Sequence, residues 1–169
     1  MTKAIKIALL LVIAAAGTLS AQTLKFGHIN STQLLASMPE TKLADSTLQK
    51  FGTSLEAQLK TMTNEYQSKI SEYRANEATM ADPIKDAKAK EIGDLEQRIQ
   101  DFQESAQQSL SKKKEEVYTP IIKKAEDAIK GVAKDKGYSY IFDTSAGVVL
   151  FAQDSDDIMP LVKAKLGLK

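Results

Sequence analysis

Apolar positions recur through the middle of this chain with helical regularity. Leu48, Phe51, Leu55, Leu59, Met62, Tyr66, Ile70 and Tyr73 are separated by 3, 4, 4, 3, 4, 4 and 3 residues. This spacing repeats every eleven residues, about 3.67 per helical turn, so the apolar stripe runs nearly straight with a slight right-handed drift. Lys, Glu, Gln, Thr and Ser fill the positions between, which keeps the stripe narrow. The pattern stops at Ala81-Asp82-Pro83. Proline disfavours helix in the residue before it and is accepted in a first helical turn, so Asp82 is expected to cap a new helix. Ile92, Leu95, Ile99, Phe102, Ala106 and Leu110 then continue at 3, 4, 3, 4 and 4. Two helices of similar reach joined at a proline-marked turn predict an antiparallel hairpin over residues 39–131, with its tip near 80–84. About 40 residues give each arm roughly 60 Å. Ser111 to Lys114 interrupt the stripe, and Val117, Ile121, Ile122, Ala125, Ile129 and Val132 resume it until Gly137. Pro120 lies inside this run and is expected to kink the helix.

The two ends of the chain carry a different pattern. Residues 24–29 read as a short strand, with Leu24, Phe26 and His28 on one face and Ile29 on the other. Asn30-Ser31-Thr32 is a capping cluster before a short helix at 33–37, and Ser37 is placed to cap the helix that opens with Pro39 and Glu40. Residues 138–142 and 148–151 read as two strands around the turn Asp143-Thr144-Ser145-Ala146-Gly147, followed by a last helix at about 157–166. The predicted class is α+β and mostly helical. A small β-rich body from residues 22–38 and 132–169 is expected to carry the long hairpin. A narrow stripe buries little surface, and three strands per chain leave open sheet edges. Both problems are eased if several chains join their sheets, and Phe26, Ile29, Tyr140, Phe142, Val148 and Leu150 are the residues expected at that junction.

Composition sharpens this picture. Only 6% of the 169 residues are aromatic and none is Trp, so the apolar content is spread along helices rather than gathered into one large core. At the N-terminus, Lys3 and Lys6 precede an uninterrupted apolar run at 7–16, and Gly17-Thr18-Leu19-Ser20-Ala21 follows. That order is the order of a secretory signal, expected to be cut after Ala21, and the run is too short for the ~20 residues of a transmembrane anchor. Removing 1–21 takes the 23 basic and 22 acidic residues to 21 and 22, a net charge of −1. Nothing in that balance calls for nucleic acid. There is no cysteine, which excludes disulfides, thiol catalysis and Cys-ligated metal, and leaves oligomerisation as the source of added stability.

No catalytic apparatus is visible. His28 is the single histidine, with no acid or nucleophile suggested beside it, and reads as structural or exposed. Neither G-x-x-x-x-G-K-[ST] nor G-x-G-x-x-G occurs, so a phosphate cradle is lacking. No cofactor is expected. Asp154, Asp156 and Asp157 lack the remaining ligands and the mid-loop glycine of a calcium loop, and read instead as acidic residues at a helix start. Lys112 to Lys114 offer a weak contact for anionic lipid, but Glu115 and Glu116 halve their field, and a solvated helix face is the competing reading. Met62, Tyr66, Tyr73 and Met80 are candidates for an adaptable surface that meets unfolded chains. The competing reading is that they hold the two arms together.

The ordered layout resembles the Skp/OmpH family of periplasmic chaperones. Lys25-Phe26-Gly27-His28-Ile29-Asn30, followed by Gln33-Leu34-Leu35, is similar to that family's opening strand and short helix. Ala128-Ile129-Lys130-Gly131-Val132-Ala133, then Gly137-Tyr138-Ser139-Tyr140-Ile141-Phe142-Asp143, is similar to its closing helix and strand. Residues 148–152 and Asp157-Ile158 complete a match that covers 24–168, while the arms agree in length and pattern alone. The resemblance implies a homotrimer whose sheets join in a central body. Three arms would then surround a cavity that holds unfolded outer-membrane β-barrel proteins. The best-known member of the family is strongly basic. This near-neutral chain departs from it, so apolar contact and confinement would have to replace attraction to acidic clients or lipid. The expected function is an ATP-independent holdase rather than an enzyme; the alternative is a coiled-coil spacer of the cell envelope with one fixed partner.

Overall fold

The computed structural model describes residues 24–168. The expected signal segment lies outside the described residues. Strand β1 (Phe26–Ile29) leads into helix α1 (Ser31–Ser37), then into two long helices, α2 (Pro39–Asn76) and α3 (Asp82–Lys136). Strand β2 (Tyr140–Asp143) and helix α4 (Met159–Leu166) close the chain. Single turns of 3₁₀ helix occupy Glu77–Thr79 and Asp154–Asp156.

Local chemistry explains most boundaries. The Asn30 side chain accepts the Gln33 N–H at 2.9 Å, so α1 starts two residues earlier than expected. Ser37 is not the cap of α2: its hydroxyl turns back to the Leu34 carbonyl at 2.7 Å, and Met38 takes the cap position with extended backbone. Asp82 is not a cap either. The Ala81 carbonyl accepts from Ile84 and Lys85, which makes Ala81 the cap and puts Asp82 inside the first turn, where its charge suits the helix dipole. Gly137 ends α3 in the left-handed region at φ 69°, a conformation that costs glycine nothing. Helix α3 continues through Pro120 and has 55 residues, about 82 Å, against 38 residues and about 57 Å for α2.

That difference in length decides where the core lies. Cross-helix contacts pair Glu40 with Lys124, Asp45 with Tyr118, Lys69 with Glu91 and Glu72 with Lys88. Rising numbers on α2 thus meet falling numbers on α3, and α3 is left with a final segment for which α2 has no counterpart. From the turn that faces the start of α2 onward, the end of α3 supplies Ile121, Ala125, Ala128 and Val132 to a core completed by Ile29, Leu34, Met38, Ala44, Ile158 and Val162. The strands pair in parallel, Phe26 with Tyr140 through Ile29 with Asp143, so the whole of α1, α2 and α3 forms the crossover between them. On its other side β1 makes an isolated parallel bridge, with the Ile158 N–H donating to the His28 carbonyl at 3.0 Å. Gly27 is buried in β1 because Tyr138 and Ile158 pass where a side chain would stand.

The second expected C-terminal strand does not form. Residues 148–151 have no ladder, and Val148, Leu150 and Phe151 are 76%, 97% and 83% exposed. A strand needs a backbone partner as well as an alternating sequence. Within one chain β1 is flanked by β2 and by the bridge at Asp157, and the segment does not pair with the remaining edge of β2.

Candidate functional site

Two surfaces stand out, one on the sheet and one along the long helices. Because side chains alternate across a strand, the register that buries Gly27 and Ile29 turns Phe26 outward, where it meets Tyr140 and Phe142 from β2. The three rings stack, with Phe26 5.9 Å from Tyr140 and 6.2 Å from Phe142, and Tyr140 6.5 Å from Phe142. All three are about half exposed. Phe26 and Phe142 also line a groove of roughly 470 Å³ with Val148, Val149 and Phe151. Contiguous exposed aromatic and aliphatic surface of this kind marks a contact site.

Of the six residues expected at a junction between chains, the structure brings Phe26, Tyr140 and Phe142 together and sets Val148 beside them. Leu150 is the most exposed large apolar side chain among the described residues. Val148 reaches this surface from irregular chain, not from a strand, and Leu150 in the same segment projects into solvent. Ile29 is misplaced in that set. It is 2% exposed and packs in the chain's own core, since it has the opposite parity from Phe26. Phe151 is absent from that set because its parity in a strand would oppose Val148 and Leu150; with no strand there, parity loses its meaning.

Asp143 ties the sheet to α1. The Ser31 hydroxyl and N–H donate to its carboxylate at 2.5 and 3.1 Å, and the Ser145 N–H donates at 2.9 Å. Partial desolvation alone would raise this carboxyl, but those hydrogen bonds outweigh it and hold the pKa at about 2. His28 reaches the Gln153 carbonyl through Nε2 at 3.0 Å and thereby pins the irregular segment to β1. Asp157 accepts the Met159 N–H at 2.8 Å just before α4, but Ile158 takes the cap position and Asp154 and Asp156 belong to the preceding 3₁₀ turn, so the acidic cluster is not the cap expected of it. Lys113 pairs with Glu116 at 2.9 Å on the solvent side of α3.

Along the long helices, all eight stripe residues of α2 are partly buried, as are Ile92, Ile99, Phe102 and Ala106 of α3. Leu95 alone in this region is fully buried, at 1% exposure. Met62, Tyr66, Tyr73 and Met80 are therefore half-covered rather than sealed. Hydrogen bonding to Lys69 holds the Glu91 carboxyl below its ordinary range and raises the lysine. Leu43, 70% exposed, and Ile84 lie outside the stripe spacing, so the periodicity did not select them.

A long pair of helices with a half-open apolar seam, joined to a small sheet with a bare aromatic face, defines an elongated interaction protein. The family model "Outer membrane protein (OmpH-like)" matches residues 25–166, and the chain belongs to that family. It is 24% identical over 122 residues to a chaperone protein Skp of Vibrio cholerae, covering 72% of each chain. It is 25% identical over 149 residues to the Skp of Yersinia enterocolitica, covering 86% of this chain and 88% of the relative. Its fold matches a crystal structure from Caulobacter crescentus, described as an OmpH-like outer membrane chaperone, with a TM-score of 0.75. That match covers 89% and 88% of the two chains at 18% identity. Among the described residues, no helix is long and apolar enough to cross a membrane, and no group of three His, Asp or Glu side chains is placed to hold a metal ion.

Proposed function

We propose that this chain is an ATP-independent holdase of the periplasm that keeps unfolded outer-membrane β-barrel proteins from aggregating. The observation that carries the reading is the half-open seam: apolar side chains along two helices of about 57 and 82 Å each keep one flank exposed. Many weak apolar contacts of that kind hold a chain without selecting its sequence, and they release it without an energy source. Met62, Tyr66, Tyr73 and Met80 supply soft and amphipathic contact area within this seam. The antiparallel hairpin acts as an arm, and the sheet, α1, α4 and the end of α3 act as the body. The aromatic face of the body joins copies of the chain into an oligomer, a trimer by analogy with the family, so that the arms enclose a cavity.

The test is aggregation. Protein lacking residues 1–21 should suppress light scattering by a β-barrel protein diluted from urea, without ATP, at one trimer per client. Unchanged scattering at that ratio sinks the proposal. A pull-down with several unrelated unfolded barrels separates it from a spacer with one fixed partner, which would retain only that partner.

A further inference from the structure

We infer that the arm carries a joint near the body, where Gly52 of α2 faces a bare stretch of α3 at residues 107–116. The joint stands whether or not the protein is a holdase, and it divides the seam on which that reading relies into two surfaces. Interpolation between the contacts Asp45–Tyr118 and Lys69–Glu91 places Gly52 opposite the turn around Leu110. On α2 the stripe residues Leu48, Phe51 and Leu55 are half-buried here, but α3 answers them poorly. Between Ala106 and Val117 the one half-covered side chain is Lys113, and Leu110 is 40% exposed. Position 113 completes the spacing from Ala106 through Leu110 to Val117, so the stripe calls for an apolar residue where the chain has Lys. Among the described residues, no hydrogen bond or ion pair crosses from α2 to α3 between the Asp45–Tyr118 and Lys69–Glu91 contacts.

Both helix backbones are weakened beside this unpacked layer. Glycine is a poor helix former, and no neighbour requires one at position 52, where a Cβ would meet no atom within 4 Å. In α3, Pro120 lacks the N–H that would bond to the Glu116 carbonyl, at the inner border of the bare stretch. The flanks are firmer. Toward the body, Ile121 and Ala125 are held in the core. Toward the tip, Leu95 is sealed, and the pairs Lys69–Glu91 and Glu72–Lys88 tie the helices together. Gly93 has the same open space as Gly52, but it lies in this packed outer unit beside Ile92 and Leu95. Two packed units thus meet at a layer where side-chain contact and helix propensity are both low, and bending concentrates there. From Gly52 the rest of α2 extends ~36 Å, so a kink of about 20° displaces the tip by ~12 Å.

Amide hydrogen exchange of the full-length mature protein, with no client present, reads the joint directly. Protection at residues 49–53 and 108–116 should lie at least tenfold below that of the segments on either side, 57–70 and 121–132. Gly52→Ala combined with Lys113→Leu fills the layer and should raise protection at 108–116 three- to tenfold. Gly93→Ala should leave that stretch within twofold. Limited trypsin digestion of the unsubstituted protein should cut first after Lys112, Lys113 or Lys114, ahead of Arg74 and Lys85 near the tip. Protection that declines steadily from body to tip, or first cleavage near the tip, overturns the inference. So does a double substitution without effect, or an equal rise in Gly93→Ala, which would show general stiffening of the helices. Because no client enters these measurements, the joint and the holdase reading fail separately.

Discussion

Gly27 stands at the tightest point of the body. A Cβ there would lie 2.9 Å from a Tyr138 ring carbon and 3.0 Å from Ile158. Gly27→Ala is expected to cost about 1–3 kcal/mol by overpacking, read as a lowered urea midpoint. Asp143 makes a prediction of another kind. Its folded pKa of about 2 lies below the ordinary carboxylate value of 3.8. The group therefore adds stability that is complete above pH 4 and disappears as pH falls from about 4 toward 2. Because the residue is exposed to solvent, the contribution is on the order of 1 kcal/mol after screening. Urea midpoints of the parent and Asp143→Asn should differ at pH 6 and converge near pH 2; a constant gap would show that the carboxylate's charge is not the source. Neither residue announced its role in the sequence. Gly27 read only as part of a strand, and of the partners of Asp143 only Ser145 is local, while Ser31 lies 112 positions away, beyond the reach of any local pattern.

At the scale of elements, periodicity was the reliable guide. Each of the eight positions that the 3-and-4 spacing selects on α2 is half-buried, because a helix that packs against a single neighbour buries mainly one stripe. What spacing could not reveal was depth. Leu95 looked equivalent to Ile92 and Ile99, yet it alone is sealed. Leu95→Ala should cost about 2–4 kcal/mol, and hydrogen exchange should localise the loss to the outer parts of α2 and α3 while core amides near Val132 keep their protection. Loss of protection throughout would show that arm and body unfold as one unit. Caps were missed by single residues where a proline or a neighbouring carbonyl competed for the position, as at Ser37 and Asp82. At 148–151 pattern and structure part further: the sequence suits a strand, yet the segment pairs with neither strand of the sheet, because alternation does not specify a partner.

For the molecule as a whole, the bare aromatic face and the unladdered 148–151 segment leave a single copy with apolar surface that water disfavours. Phe142→Asp or Leu150→Asp is expected to dissociate the proposed oligomer, because each places a charge on that surface; sedimentation velocity should then report a single chain. A trimer that survives both changes would put the junction elsewhere. The parallel pairing of β1 with β2 also has a consequence in time. Phe26 is made early and Tyr140 late, with both long helices between them. At a synthesis rate of about 5–20 residues per second, β1 waits roughly 6–23 seconds before its partner exists. The core that Ile29 shares with Val132, Ile158 and Val162 cannot close during that interval, so a chain stopped short of residue 140 has helices but no body to hold them. Folding of this protein is an event of the finished polypeptide.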